Sequence, residues 1–309
     1  MDVSLVIISA VNDDEEADAA SRSSLSALLD RAEVGALVDA CGLGEYREAI
    51  LDAVLAGYRL EPGGEGRTRI GGLPDMAEAE VWPRAENGVP YTLVAQIDCS
   101  ALPPLTGDFA GPQWRHDGAL VRIFAALDAR VPEPGPALAL ACAPDAPVGR
   151  TALPPRPDPM PASAWEAEDE SLRRLEETPV RPVPFLTVPE GWYVLPEDAR
   201  ETPATANAYH DFAARLATVG APGSRPWGIA QLLGHAVTMQ QEDPRYAGGW
   251  FFRDESDLRD LHAWRVLLNV ADGYEGMSFG DGGALAVVAP VADLAAGRYD
   301  RLVTEPSMG

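Results

Sequence analysis

Tyr91-Thr-Leu-Val-Ala-Gln-Ile-Asp98 is an apolar run that closes on an amide and an acid. Ala263-Trp-Arg-Val-Leu-Leu-Asn-Val-Ala-Asp272 repeats the plan far along the chain. Each run follows a glycine turn and a proline-bearing spacer. The first turn is Arg67-Thr-Arg-Ile-Gly-Gly-Leu-Pro-Asp75, with Val81-Trp82-Pro83 after it; the second is Leu232-Leu-Gly-His-Ala236, with Met239-Gln-Gln-Glu-Asp-Pro244 after it. Both runs are too short for a helix of ordinary length and carry β-branched residues, so both read as strands.

Working outward, Ala119–Leu127 and Pro136–Cys142 read as further strands, the second as one covered on both faces because its apolar run is nearly continuous. Ala284–Ala289 reads as a hairpin partner of the 263–270 strand. Toward the N-terminus the spacing changes. Leu25, Leu28, Leu29 and Ala32 after Ser24, and Tyr46, Ala49, Ile50, Ala53 and Val54 after Gly42-Leu-Gly44, recur at helical intervals and predict a helical hairpin. Tyr209, Phe212, Ala213 and Leu216 mark another helix, and short charged helices are expected at Trp165–Glu177 and Asp254–Leu261. Pro144–Pro161 holds seven prolines and reads as an extended connector, as does the proline-punctuated stretch Arg181–Pro196. The N-terminal Met1–Ala10 segment has an apolar core but lacks a positive flank, which predicts a short buried strand or a partner-docking segment and no signal peptide.

Composition excludes several chemistries. The 309 residues carry 48 acids against 24 basic groups, a formal charge of -24, and every basic residue is Arg. With no Lys there is no Schiff-base amine, no P-loop lysine and no Ser-x-x-Lys pair. The acidic excess argues against a phosphate-backbone binder and is compatible with a basic protein partner or with solubility alone, the plainer reading. Cys41, Cys99 and Cys142 are widely spaced and odd in number, which suits a reducing cytoplasm and neither a disulfide framework nor a zinc site. No run approaches the length of a membrane span.

The paired turn-and-strand motifs, followed by Met277-Ser-Phe-Gly-Asp-Gly-Gly283 and an apolar strand, resemble the YwqG-like family, also called DUF1963. The resemblance extends over about 67–301 and implies no established biochemical role. It implies an α+β fold: a mixed or antiparallel sheet from two related halves, with helices packed on one side. The expected organisation is an N-terminal segment at 1–66 with the helical hairpin, then a YwqG-like domain at 67–305. Its halves, about 67–143 and 225–305, are joined by the Pro-rich connector. The family pattern places Gln at the strand end of both halves; Gln96 keeps it and Asn269 departs from it.

Site candidates follow from these motifs. Arg69, Asp75, Gln96, Asp98, Asn269, Asp272 and Asp281 would line a cleft between the halves. The competing reading is structural. Buried amides at Gln96 and Asn269 would tie the halves together, and Asp98 and Asp272 would cap turns or pair with Arg69 and Arg265. Gly71-Gly72 is a turn first and an anion-accepting backbone nest, beside Arg67 and Arg69, second. Asp272, Glu275 and Asp281 offer oxygen ligands but lack calcium-loop spacing, and His116, His210, His235 and His262 lack any metal-ligand spacing. Trp82, Trp114, Trp227, Trp250 and Trp264 read as core and seam residues. The sequence therefore predicts no catalytic constellation, no metal, no cofactor, no nucleic-acid contact and no membrane contact. The leading reading is a non-enzymatic cytoplasmic binding, immunity or regulatory protein with an acidic protein-binding surface. The alternative is an enzyme or small-molecule binder using the cleft.

Overall fold

A computed structural model describes residues 28–111, 114–127, 135–158, 174–189, 191–218, 230–236, 243–252, 261–271, 274 and 283–307. Among the described residues two short helices come first, α1 (Arg31–Ala40) and α2 (Arg47–Ala53). The strands then run β1 (Leu55–Pro62), β2 (Arg69–Ile70), β3 (Asp75–Met76), β4 (Thr92–Asp98), β5 (Leu120–Ala125), β6 (Gly135–Cys142), β7 (Gly149–Arg150) and β8 (Thr178–Thr187). Next are α3 (Glu197–Arg200), α4 (Pro203–Thr218), β9 (Ala230–Leu233) and α5 (Arg245–Phe252). The chain finishes with β10 (Trp264–Ala271), β11 (Ala284–Pro290), α6 (Val291–Ala295) and β12 (Leu302–Ser307).

The open sheet with helices on one side is not what forms. Ten strands close into an antiparallel barrel in the order β1-β8-β2-β4-β5-β6-β12-β11-β10-β9, with β9 returning to β1. Closure removes the exposed edges an open sheet would leave. Helices cover more than one side of it. α1, α2 and α4 pack with Ala56 and Leu186 outside β1 and β8, whereas α5 lies against Trp264, Val266, Val288 and Val303 outside β10–β12. A third outer cluster, around Trp82, Tyr91 and Phe124, covers β4 and β5. Strand alternation puts Val121, Ile123, Leu232, Val270, Leu285 and Val287 into the barrel interior.

Strand order has an internal symmetry. In chain order the barrel strands form two runs of five: β1, β2, β4, β5, β6, and β8 to β12. In each run the second to fifth strands are successive neighbours, and the two last strands, β6 and β12, pair with each other. The two first strands are exchanged: β1 pairs with β8 and β9, and β8 with β1 and β2. Local irregularities repeat as well. β4 shifts register between Leu93 and Ala95, and β10 between Val266 and Leu268. Both second strands lead into a two-residue left-handed turn, Gly71 and Gly72 at φ 66° and 74°, Leu233 and Gly234 at φ 60° and 73°.

Several local expectations change. α1 starts at Arg31 because Asp30 and Glu33 form a reciprocal capping box, so Leu28 and Leu29 precede the helix. β6 is only partly covered: Gly135 and Ala137 are buried, Ala141 is exposed and the other positions are half-buried. The proline-punctuated stretch 181–187 is a barrel strand. Val180 donates its N–H to Thr68 on the β2 side, so residues 182 and 184, two and four positions on, also turn their nitrogens to that side. β2 pairs with β8 only at 178 and 179, so Pro182 and Pro184 remove no ladder bond there. The predicted N-terminal strand, the helix at 254–260 and most of the helix at 165–177 lie outside the described residues; 174–177 is not helical.

Candidate functional site

On β4, Ala95 and Ile97 face the interior, so Gln96 faces out; on β5, Val121 and Ile123 face in, so Arg122 faces out. Arg69 stands directly opposite Gln96, and Gln96 opposite Arg122, giving a polar row across the outer face of the barrel. All three are buried, Gln96 and Arg122 at 0% exposure. The segment after the glycine turn folds over them and supplies their partners.

Gln96 uses its whole amide. Its Oε1 accepts from Arg69 at 3.0 Å and from the Asp75 backbone N–H at 2.8 Å. Its Nε2 donates to the Arg67 carbonyl at 3.0 Å and to Asp75 Oδ2 at 2.8 Å. Arg69 donates to the Leu73 carbonyl at 2.7 Å and meets Asp75 Oδ1 at 3.0 Å. Arg122 donates to both oxygens of Glu80, at 2.5 and 2.7 Å, and to the Asp75 carbonyl at 3.0 Å. Arg150 bridges Asp75, at 3.4 Å, and Glu177. Three guanidiniums thus face three carboxylates, and the cluster is electrically neutral.

Electrostatics agree with geometry. Burial acts to raise the Asp75 pKa, but bonds from Arg69 and Gln96 and the charges of Arg69 and Arg150 outweigh it, so the carboxyl is held below its ordinary value. Glu177 is lowered in the same way, with Arg150 overriding burial. A general acid or base would need the opposite shift and a free face. Asp75 has neither.

The other candidates separate. Asp98 caps the turn after β4, accepting from Ser100 N at 3.1 Å and Ser100 Oγ at 2.6 Å. Asn269 also faces outward, opposite Gln231, and donates to the Leu285 carbonyl at 3.4 Å. Gln96 and Asn269 therefore do not meet: each ties strands within its own run, not the two halves to one another. Asp272, Glu275 and Asp281 lie outside the described residues. The backbone nest is closed, because Gly71 N donates to the Val94 carbonyl at 2.8 Å and Gly72 N to the Leu175 carbonyl at 3.0 Å. Cys99 is buried, and burial followed by the Asp98 charge pushes its thiol far up, which makes it inert. His235 is buried with Nε2 against the Ala53 carbonyl at 2.7 Å, and burial pushes its pKa down to about 3. Among the described residues no group of three metal-ligating side chains converges. No described helix is long and apolar enough to cross a membrane.

Sequence reasoning missed Glu80, Arg122, Arg150 and Glu177. One signal was present: a lone Arg inside the apolar run Leu120-Val-Arg-Ile-Phe124 needs a buried partner. A comparison with curated proteins returned no match. The model of one family, described as Domain of unknown function (DUF1963), matches residues 68–121, from Thr68 through β4 into β5. The polar row is built largely from this stretch, and over it the chain is consistent with a DUF1963 family protein.

Proposed function

We propose that this chain is a non-enzymatic cytoplasmic binding or regulatory protein that takes a basic protein partner on an acidic face. The observation that carries the reading is the fate of Arg69, Asp75 and Gln96: each is consumed in a neutral, buried network, so no free acid–base group remains among them. The chain as a whole carries a formal charge of -24, and none of that excess comes from this neutral cluster. On the helical layer outside β1 and β8, Glu45, Glu197, Asp198 and Glu201 are exposed, and Glu48 is exposed beside its ion-pair partner Arg31. Charge of one sign on a rigid face favours fast encounter with a partner of the opposite sign.

Capture on the tagged full-length chain, followed by stopped-flow association with the captured protein, tests this. A basic, stoichiometric partner whose association rate falls steeply between about 0.05 and 0.5 M salt is expected. A salt-independent rate would leave the charge as a solubility feature and remove the reading.

A further inference from the structure

Two arginine–glutamine pairs stand directly opposite one another on the outer face of the barrel. Arg69 faces Gln96 across β2 and β4, and Arg59 faces Gln231 across β1 and β9. Both members of the second pair are outward, since Tyr58, Leu60, Ala230 and Leu232 occupy the interior. At the first pair the chain supplies its own occupant. Asp75 sets its carboxylate on Arg69, at 3.0 and 3.2 Å, and gives its backbone N–H to Gln96 Oε1 at 2.8 Å.

At the second pair no described residue does either. Arg59 is 4% exposed; its NH2 donates to the Ala217 carbonyl at the end of α4, and its guanidinium lies 5.1 Å from the Phe185 ring centre. Its Nε and NH1 have no hydrogen-bond partner among the described residues. Gln231, at 0% exposure, donates Nε2 to the Leu233 and His235 carbonyls, and its Oε1 receives no donor among the described residues. Buried Arg69, Arg122 and Arg245 each meet a carboxylate, of Asp75, Glu80 and Asp243. Arg59 meets none among the described residues. Burial lowers its pKa, opposed only by Glu61, whose carboxylate is engaged by Arg181 at 2.6 Å. An unpaired buried cation beside an unfilled acceptor is an arrangement folded chains avoid unless something completes it.

We propose that Arg59 and Gln231 form a binding site for an aspartyl-type ligand, its carboxylate held by Arg59 and its amide N–H donated to Gln231. Asp75 at Arg69 and Gln96 is the template. The chemistry is shared by a free N-acyl aspartate and by an aspartate within a peptide. The site does not depend on the acidic-face reading, which concerns a basic partner on the exposed acids of the helical layer, whereas Arg59 and Gln231 are buried, Arg59 against the end of α4.

The test uses the full chain at constant ionic strength, with N-acetyl-aspartate methylamide as probe and its asparagine analogue and acetate as controls. Unfolding midpoint and the ¹⁵N resonance of Arg59 Nε are followed together. The aspartyl probe should raise the midpoint saturably and shift the resonance, at least about tenfold more tightly than either control. Arg59→Met should fold and lose the response. If it fails to fold, Arg59→Lys, which keeps the charge without the planar fork, should weaken binding about tenfold. Acetyl-Gly-Asp-Gly amide binding more tightly than the single residue assigns a peptide source, and equal binding a small molecule; either supports the site. No response, an equal response to all three probes, a response that survives in both Arg59 variants, or a single bridging water that the probe does not displace would overturn it.

Discussion

Glu80 chelates Arg122 with both carboxylate oxygens, at 2.5 and 2.7 Å, although the two residues are 42 positions apart in sequence. The guanidinium is fully buried on the outer face of β5, and the Asp75 and Leu140 carbonyls take its other donors. The pair locks the segment between β3 and β4 onto the barrel wall. Removing one partner of a buried pair leaves the other charged in a poor solvent. Glu80→Gln should lower unfolding stability by about 3 kcal/mol, less than a fully buried pair because Glu80 is partly exposed. Urea denaturation of the variant and the parent checks this, and a loss under about 0.5 kcal/mol would mean that Arg122 finds other partners.

The double glycine turn gives a paired prediction. Gly71 sits at φ 66°, and a Cβ there would strike the Glu176 carbonyl oxygen. Gly63, at φ 93°, has nothing within 4 Å of the same position. Gly71→Ala should therefore cost more than about 3 kcal/mol, and Gly63→Ala only about 1–2 kcal/mol from backbone strain. Thermal unfolding of the two variants side by side tests the ordering. Equal losses would show that the crossing chain moves aside.

His235 predicts a pH dependence. Burial first, and then the Arg245 charge, depress its pKa to about 3, against about 6.5 in the unfolded chain. Above about pH 6.5 the imidazole is neutral in both states and stability does not depend on it. As pH falls below that value the unfolded chain takes up a proton that the folded chain refuses, so stability is lost by up to about 1.4 kcal/mol per pH unit. Asp75 and Glu177, held below their ordinary values of 3.8 and 4.5, act in the same direction as pH falls through those values. Between about pH 6.5 and 4.5 the difference between parent and His235→Gln should isolate the imidazole. Identical slopes would show that His235 protonates in the folded protein.

The strands that the sequence made legible are those whose burial is nearly unbroken. β4, β5, β10 and β11 are apolar runs buried at almost every position, and all four were expected within a residue or two. The strands that close the barrel carry no such signature. β2 has two residues and β9 four, β1 contains Gly57 and a buried Arg59, and β8 contains Pro179, Pro182 and Pro184. Each is held by its neighbours and not by its own pattern, so an open sheet was the natural reading. Arg69, Asp75 and Gln96 could be singled out in the sequence because the first two flank the glycine turn and the third is the amide near the end of an apolar run. Glu80, Arg150 and Glu177 could not, because only the folded chain brings residues 80, 150 and 177 to one place.

The central claim is that the polar residues of the 68–121 stretch are structural, and Gln96 is where it is most exposed to test. The side chain makes four hydrogen bonds, at 2.8, 2.8, 3.0 and 3.0 Å, to Asp75, Arg69 and the Arg67 carbonyl. Urea unfolding of Gln96→Ala measures their worth. A loss of about 1–3 kcal/mol with an unchanged m-value is predicted, since the partners are left buried and unsatisfied. A midpoint within error of the parent would contradict the account and return Gln96, Arg69 and Asp75 to the list of free ligand-binding groups.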